Sequence, residues 1–149
     1  MPRYAQTQSL GHQTGLAGRL FNQLLTRRFS AAGIDMTAEQ WGVILVLLNN
    51  GPMTHGQLAE QLYLEKSTIS RSVGGLERRD WVACTKDADD GRHKRVSLTA
   101  NATEVAEQCL KIASGVLTDA QAGLDPAAVS ASLDQLAGVI ANLRALNRR

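Results

Sequence analysis

Residues Glu65–Thr99 read EKSTISRSVGGLERRDWVACTKDADDGRHKRVSLT. In the first half, Ile69, Val73 and Leu76 recur at steps of four and three, one apolar stripe along a polar helix. Ser67, Thr68, Ser70 and Arg71 fall largely off that stripe, at the helix's N-terminal end. Gly74 and Gly75 interrupt it, each costing about 1 kcal/mol relative to Ala; close approach of another backbone would give a reason for them. In the second half, Trp81–Thr85 and Arg95–Leu98 have strand character. The segment between them, Lys86–Lys94, is rich in turn formers and too long for a tight hairpin. A helix followed by a hairpin with a charged tip is the prediction.

The flanking sequence places this unit. Thr54-His55-Gly56-Gln57 is a capping box, Thr at the cap and Gln three later. Leu58, Ala59 and Leu62 follow on one face, and Tyr63-Leu64 breaks the helix off. Further upstream, Thr37-Ala38-Glu39-Gln40 is a second capping box. The run WGVILVLL after it is apolar nearly all round, which predicts a deeply buried helix, stopped by Gly51 and Pro52. A short strand around Met53 would add a third edge to the hairpin. Helix, turn, helix and hairpin over residues 37–99 describe a winged helix-turn-helix, a DNA-reading module.

Both ends of the chain read as helix. Leu10 to Ala32 has helical apolar spacing, weakened by Gly11, Gly15 and Gly18, and Gly33 marks its stop. Residues 1–8 lack periodicity and read as an arm. Thr99 caps a long helix to about Gln121, with Val105, Cys109, Ile112 and Val116 on one seam. Asp125-Pro126 restarts a helix, in which Val129, Leu133, Leu136, Ile140, Leu143 and Asn147 repeat as a heptad. These seams either pack back on their own domain or form a symmetric dimer with Leu16 and Leu20 of the first helix. The dimer is the preferred expectation, with residues 9–32 and 100–147 as dimerisation helices. The expected fold class is mainly α with a small antiparallel β wing, in a single domain of 149 residues.

Composition narrows the function. An apolar fraction of 44% and a charged fraction of 20% suit a water-soluble globular chain. Residues 1–10 carry no apolar signal core, and no apolar run reaches membrane-spanning length, so a cytoplasmic protein without a membrane role is expected. The net charge of +2 is unremarkable, but its distribution is not. Residues 36–64 hold no Lys or Arg, whereas Lys66, Arg71, Arg78, Arg79, Lys86, Arg92, Lys94 and Arg95 cluster in the next stretch, with acidic residues interleaved. His12, His55 and His93 have no metal-ligand spacing, and no nucleophile-elbow or phosphate-loop pattern occurs. No enzyme, metal or cofactor is expected. Cys84 and Cys109 form no disulfide framework and read as core residues.

The residues TAEQWGVILVL, MTHGQLAEQL, LEKSTISRSVGGLERRDWV and DGRHKRVSLT together resemble the MarR family of bacterial transcription regulators. The match is close over Thr37 to Thr99 and architectural in the terminal helices. Gly74-Gly75 stands where that family more often has polar helix formers, Asp80 where it usually has Gly, and Ala102 where many members have Gly. The resemblance implies a homodimeric winged-helix repressor, released from DNA by a small phenolic or aromatic carboxylate ligand. Such ligands bind where the dimerisation helices meet the winged domain, which by position would involve His12, Arg19 and Trp41. Each has a plainer reading: surface His, solvated Arg, core Trp. Thiol-sensing members carry a reactive Cys near the first helix, and this chain has none before Cys84.

For a pseudo-palindromic duplex, the chemistry assigns roles. The helix beginning at Lys66 enters the major groove by its N-terminal end, where Ser67, Thr68 and Ser70 let the backbone approach bases and phosphates. Arg71 is the candidate for a bidentate guanine contact. Arg92 at the wing tip suits a narrow minor groove, with Asp90 holding its guanidinium. Lys94 and Arg95 would neutralise phosphates, and Thr54 and Gln57 would touch backbone. The alternatives are a winged helix serving as a protein-interaction module and a thiol-based redox-responsive regulator.

Overall fold

The computed structural model of the chain describes residues 5–86 and 94–148. Among the described residues, six α-helices and three short strands follow a 3-10 turn at Gln6–Gln8, which lies in the stretch expected to be an arm. Two compact units divide the chain, residues 1–113 and 114–149.

Helix α1 (Leu10–Ala31) runs unbroken through its three glycines, capped by Ser9, whose hydroxyl accepts a hydrogen bond from His12 N. Gly33 ends the turn that follows, at φ +77°. Helix α2 (Ala38–Asn50) opens on a reciprocal capping box: Gln40 N donates to Thr37 Oγ1 at 3.1 Å, and Thr37 N to Gln40 Oε1 at 3.0 Å. Trp41, Val43, Ile44 and Leu47 are buried as expected, with Trp41 edge-on to Phe29. The expectation of burial all round is corrected. Leu45 and Leu48 continue the side of α2 that begins at Trp41, and they remain more than a third exposed. Trp41 is a large ring against α1; four residues on, nothing among the described residues covers that side completely.

Strand β1 (Met53–Thr54) leads into α3 (His55–Leu62), which is capped like α2, with Thr54 and Gln57 bonded to each other. Tyr63 breaks the helix in the left-handed region at φ 54°. Helix α4 (Lys66–Arg78) buries Ile69, Ser72, Val73, Gly75 and Leu76, so the predicted stripe is its core face. Strands β2 (Val82–Lys86) and β3 (Lys94–Leu98) pair antiparallel, and β1 adds to the free side of β3, giving the order β1-β3-β2. Period-two alternation aims Val82 and Val96 inward. Together with Phe29, Ile34, Met36, Leu58, Ala102 and Cys109, these side chains make one core in the first unit.

Helix α5 (Ala100–Ala120) begins at Thr99, whose Oγ1 accepts a hydrogen bond from Ala102 N. Helix α6 (Pro126–Asn147) starts with Asp125 at the cap and Pro at the first position. Within α6 no residue is buried, and Leu133, Ile140 and Leu143 are 59%, 47% and 50% exposed. No helix among the described residues is long and apolar enough to cross a membrane.

Candidate nucleic-acid interface

The apolar stripe of α4 determines which side chains face outward. With Ile69, Val73 and Leu76 in the core, Lys66, Ser67, Ser70 and Arg71 are exposed and Thr68 is half-buried. Arg71 is steadied locally: its Nη2 donates to Thr68 Oγ1 at 3.4 Å. Glu65 stands at the cap position, and its side chain makes no capping bond. The first-turn amides of α4 therefore keep their donors for an outside acceptor such as a phosphate.

The rest of α4 is fixed within the first unit by polar contacts, two of them to residues far away in the chain. Ser72 Oγ donates to Glu39 Oε1 at 2.7 Å. Arg79 at the C-terminal cap donates from Nε to Asp35 Oδ2 at 2.9 Å and from Nη1 to the Gly75 carbonyl at 3.0 Å. The Gly74-Gly75 pair divides into two cases. A β-carbon on residue 75 would come within 2.6 Å of Gln40 Nε2, so a larger residue there would have to displace a side chain of α2 rather than a neighbouring backbone. At residue 74 the nearest atom would be Arg78 Nη1 at 3.6 Å, ordinary contact, and nothing in the structure requires glycine.

Register assembles the other side of the surface. Thr54 pairs with Arg95, and Lys86 lies directly across from Lys94. Lys86 and Lys94 are both exposed. Two like charges on one rung repel, and a shared anionic partner would relieve that repulsion. The sequence placed Lys86 in the basic cluster but gave it no DNA contact; strand register brings it to Lys94. Arg95 is half-buried and donates to the Pro52 carbonyl at 3.5 Å. Thr54 and Gln57 are engaged with each other in the α3 cap, which leaves them fewer free groups for a phosphate. Asp90 and Arg92, the expected wing-tip pair, lie outside the described residues.

The residues expected around a ligand differ in exposure. His12 and Arg19 are exposed on α1, and Trp41 is a core residue, 4% exposed. Trp41 lies inside because its indole packs against Phe29. A surface cavity of about 420 Å³ is lined instead by Thr26, Ser30 and residues Gly33 to Thr37. Another, of about 550 Å³, is lined by Asn22, Gln23, Thr26 and Arg27.

Neither cysteine is activated. Burial pushes the Cys109 thiol up to about 11. Cys84 also rises to about 11, by burial first and then by its hydrogen bond to Glu77 and the charge of that carboxylate, against a small opposing pull from Lys94. Thiols so shifted are almost wholly protonated at neutral pH.

Comparison with known proteins agrees with this geometry. A family model described as MarR family matches residues 34–93. An HTH-type transcriptional regulator of Bacillus subtilis, YwoH, is 30% identical over 112 residues, covering 72% of this chain and 80% of its own length. A MarR transcriptional regulator from Methanosarcina mazei superposes with a TM-score of 0.84 at 19% identity, over 92% of this chain and 97% of that one. BpsR from Bordetella bronchiseptica superposes with a TM-score of 0.81 at 20% identity, over 93% and 97% of the two chains. The latter two likenesses speak for the fold. With the family model lying on the winged helix and YwoH aligned over most of both chains, this chain belongs to the MarR family of DNA-binding transcription regulators, which are not enzymes.

Proposed function

We propose that the chain is a cytoplasmic repressor that binds a pseudo-palindromic operator as a homodimer and is released by a small aromatic ligand. The observation that carries the reading is the two-sidedness of α4. Its apolar stripe is locked in the core, while Lys66, Ser67, Ser70 and Arg71 form an exposed front at its N-terminal end. The paired Lys86 and Lys94 supply a phosphate contact from the wing strands. Thr54, Gln57, Thr68 and Arg95 take supporting contacts, and Asp90 and Arg92 serve at the wing tip.

The dimer is supported by the half-exposed Leu133, Ile140 and Leu143 of α6 and by Leu16 and Leu20 of α1. Val129 and Leu136, less exposed, continue the α6 seam. A ligand acts by favouring a dimer geometry whose spacing misfits DNA. DNA binding by BpsR is regulated by 6-hydroxynicotinic acid, and the expected effector here is of that kind, a phenol or aromatic carboxylate.

Fluorescence anisotropy tests the reading, using duplexes selected from a random pool by the intact protein. One dimer per duplex, affinity falling steeply with salt, and release by an aromatic carboxylate are the expected results. Absence of duplex binding at low salt overturns it.

A further inference from the structure

The C-terminal end of α4 is held from two sides. Arg79 Nε donates to Asp35 Oδ2 at 2.9 Å, reaching the turn after α1. On the other side, Asn101 Nδ2 donates to Asp80 Oδ2 at 2.6 Å and Thr99 Oγ1 donates to the Asp80 carbonyl at 2.6 Å, both from the start of α5. Two consecutive residues thus join the end of the recognition helix to the turn between α1 and α2 and to the start of α5, a helix that the proposed dimer would use.

We infer that Arg79 and Asp80 are positioning residues that set the direction of α4 relative to the dimer, and so the half-site spacing the protein accepts. The inference rests on the operator reading above. Two features favour a geometric role over a merely stabilising one. Asp80 sits at φ 59°, a left-handed conformation that glycine adopts without strain and that the chain gives to glycine at Gly33, Gly51 and Gly123. Glycine would ease the backbone at residue 80 but would remove the carboxylate that Asn101 holds. Likewise, the Asp35 side chain is 85% exposed, so its pair with Arg79 adds little stability. What the pair does is fix the guanidinium, which is also tied to Gly75, against the turn that starts α2.

Leverage makes small changes matter. From Lys66 to Arg79 the helix is about 20 Å long at 1.5 Å per residue. A tilt of about 5° at the clamped end moves the reading end by about 1.7 Å. In a symmetric dimer the two shifts add to about 3.4 Å, the rise of one base pair.

The test compares the duplex selected by the unaltered protein with the same half-sites moved closer or farther by one base pair. Asp80→Gly, Arg79→Met and Asn101→Ala are each expected to lower the preference for the selected spacing by roughly 5-fold or more. Asp80→Asn, which keeps a side-chain oxygen toward Asn101, is expected to retain it. Melting temperature and dimer mass are measured alongside; Asn101→Ala removes the bond from an exposed side chain, so it tests the clamp even where a change at residue 80 harms folding. If folded, dimeric variants keep the unaltered preference, the clamp is overturned while the operator reading stands. If the unaltered protein binds no duplex, both are overturned.

Discussion

The side-chain amide of Gln40 occupies the space a β-carbon on Gly75 would need, with Nε2 only 2.6 Å from that position. Gln40 cannot simply swing away, because its Oε1 accepts the Thr37 amide in the capping box that starts α2. The start of α2 and the middle of α4 are therefore mutually fitted. Gly75→Ala gains about 1 kcal/mol of helix propensity but displaces a buried, bonded side chain at about 1–3 kcal/mol. Gly74→Ala gains the propensity alone. Urea denaturation should show Gly74→Ala more stable than the unaltered chain by about 0.5–1 kcal/mol and Gly75→Ala less stable by about 1 kcal/mol.

Base reading and phosphate neutralisation should separate by residue. Arg71→Ala is expected to cost about 1–3 kcal/mol on the selected duplex and to relax discrimination at the base it reads. Lys86→Ala or Lys94→Ala should weaken binding to all duplexes alike and lower the slope of log affinity against log salt by about one. Anisotropy titrations over a range of salt concentrations with matched and scrambled duplexes measure both quantities.

Leu133 and Ile140 lie one heptad apart on α6, and both are about half exposed. A charge at either position should be tolerated by a single chain and resisted by an apolar interface. Ile140→Glu is expected to shift sedimentation from dimer to monomer at micromolar concentration and to weaken operator binding at least tenfold, while far-ultraviolet circular dichroism stays helical.

The thiols predict both a chemical and a thermodynamic behaviour. At about 11 for Cys84 and Cys109, iodoacetamide labelling at pH 7.5 should be much slower than for a free thiol, and peroxide should leave DNA affinity unchanged. The sign of the pH effect follows from linkage. The unfolded thiols ionise near 9 while the folded ones keep their protons to about 11. The folded state then binds more protons, and stability falls as pH rises through that window. For the fully buried Cys109 the loss is roughly 1–3 kcal/mol, visible as a pH 8 to pH 11 slope in denaturation midpoints that Cys109→Ala flattens.

Elements legible in the sequence share one property: their signals lie within a few residues. Thr37 and Gln40, Thr54 and Gln57, and Asp125 with Pro126 announce their helix starts because caps are local chemistry. The Ile69, Val73, Leu76 stripe announces the buried side of α4, and thereby the outward front at Lys66 to Arg71. Asp80 was visible as a departure from a usual glycine, and its left-handed backbone shows why glycine is usual there.

The chain sequence by itself therefore determined the order of helices and hairpin, and the face α4 turns outward, because periodicity and caps act over one or two helical turns. Tertiary structure alone decided what holds α4 in place. Arg79 is 44 residues from Asp35 and Ser72 is 33 from Glu39. The fit of Gly75 to Gln40 and the pairing of Lys86 with Lys94 likewise depend on packing and register. Contacts at such separations form only after the core has brought their elements together, and no spacing rule along the chain encodes them.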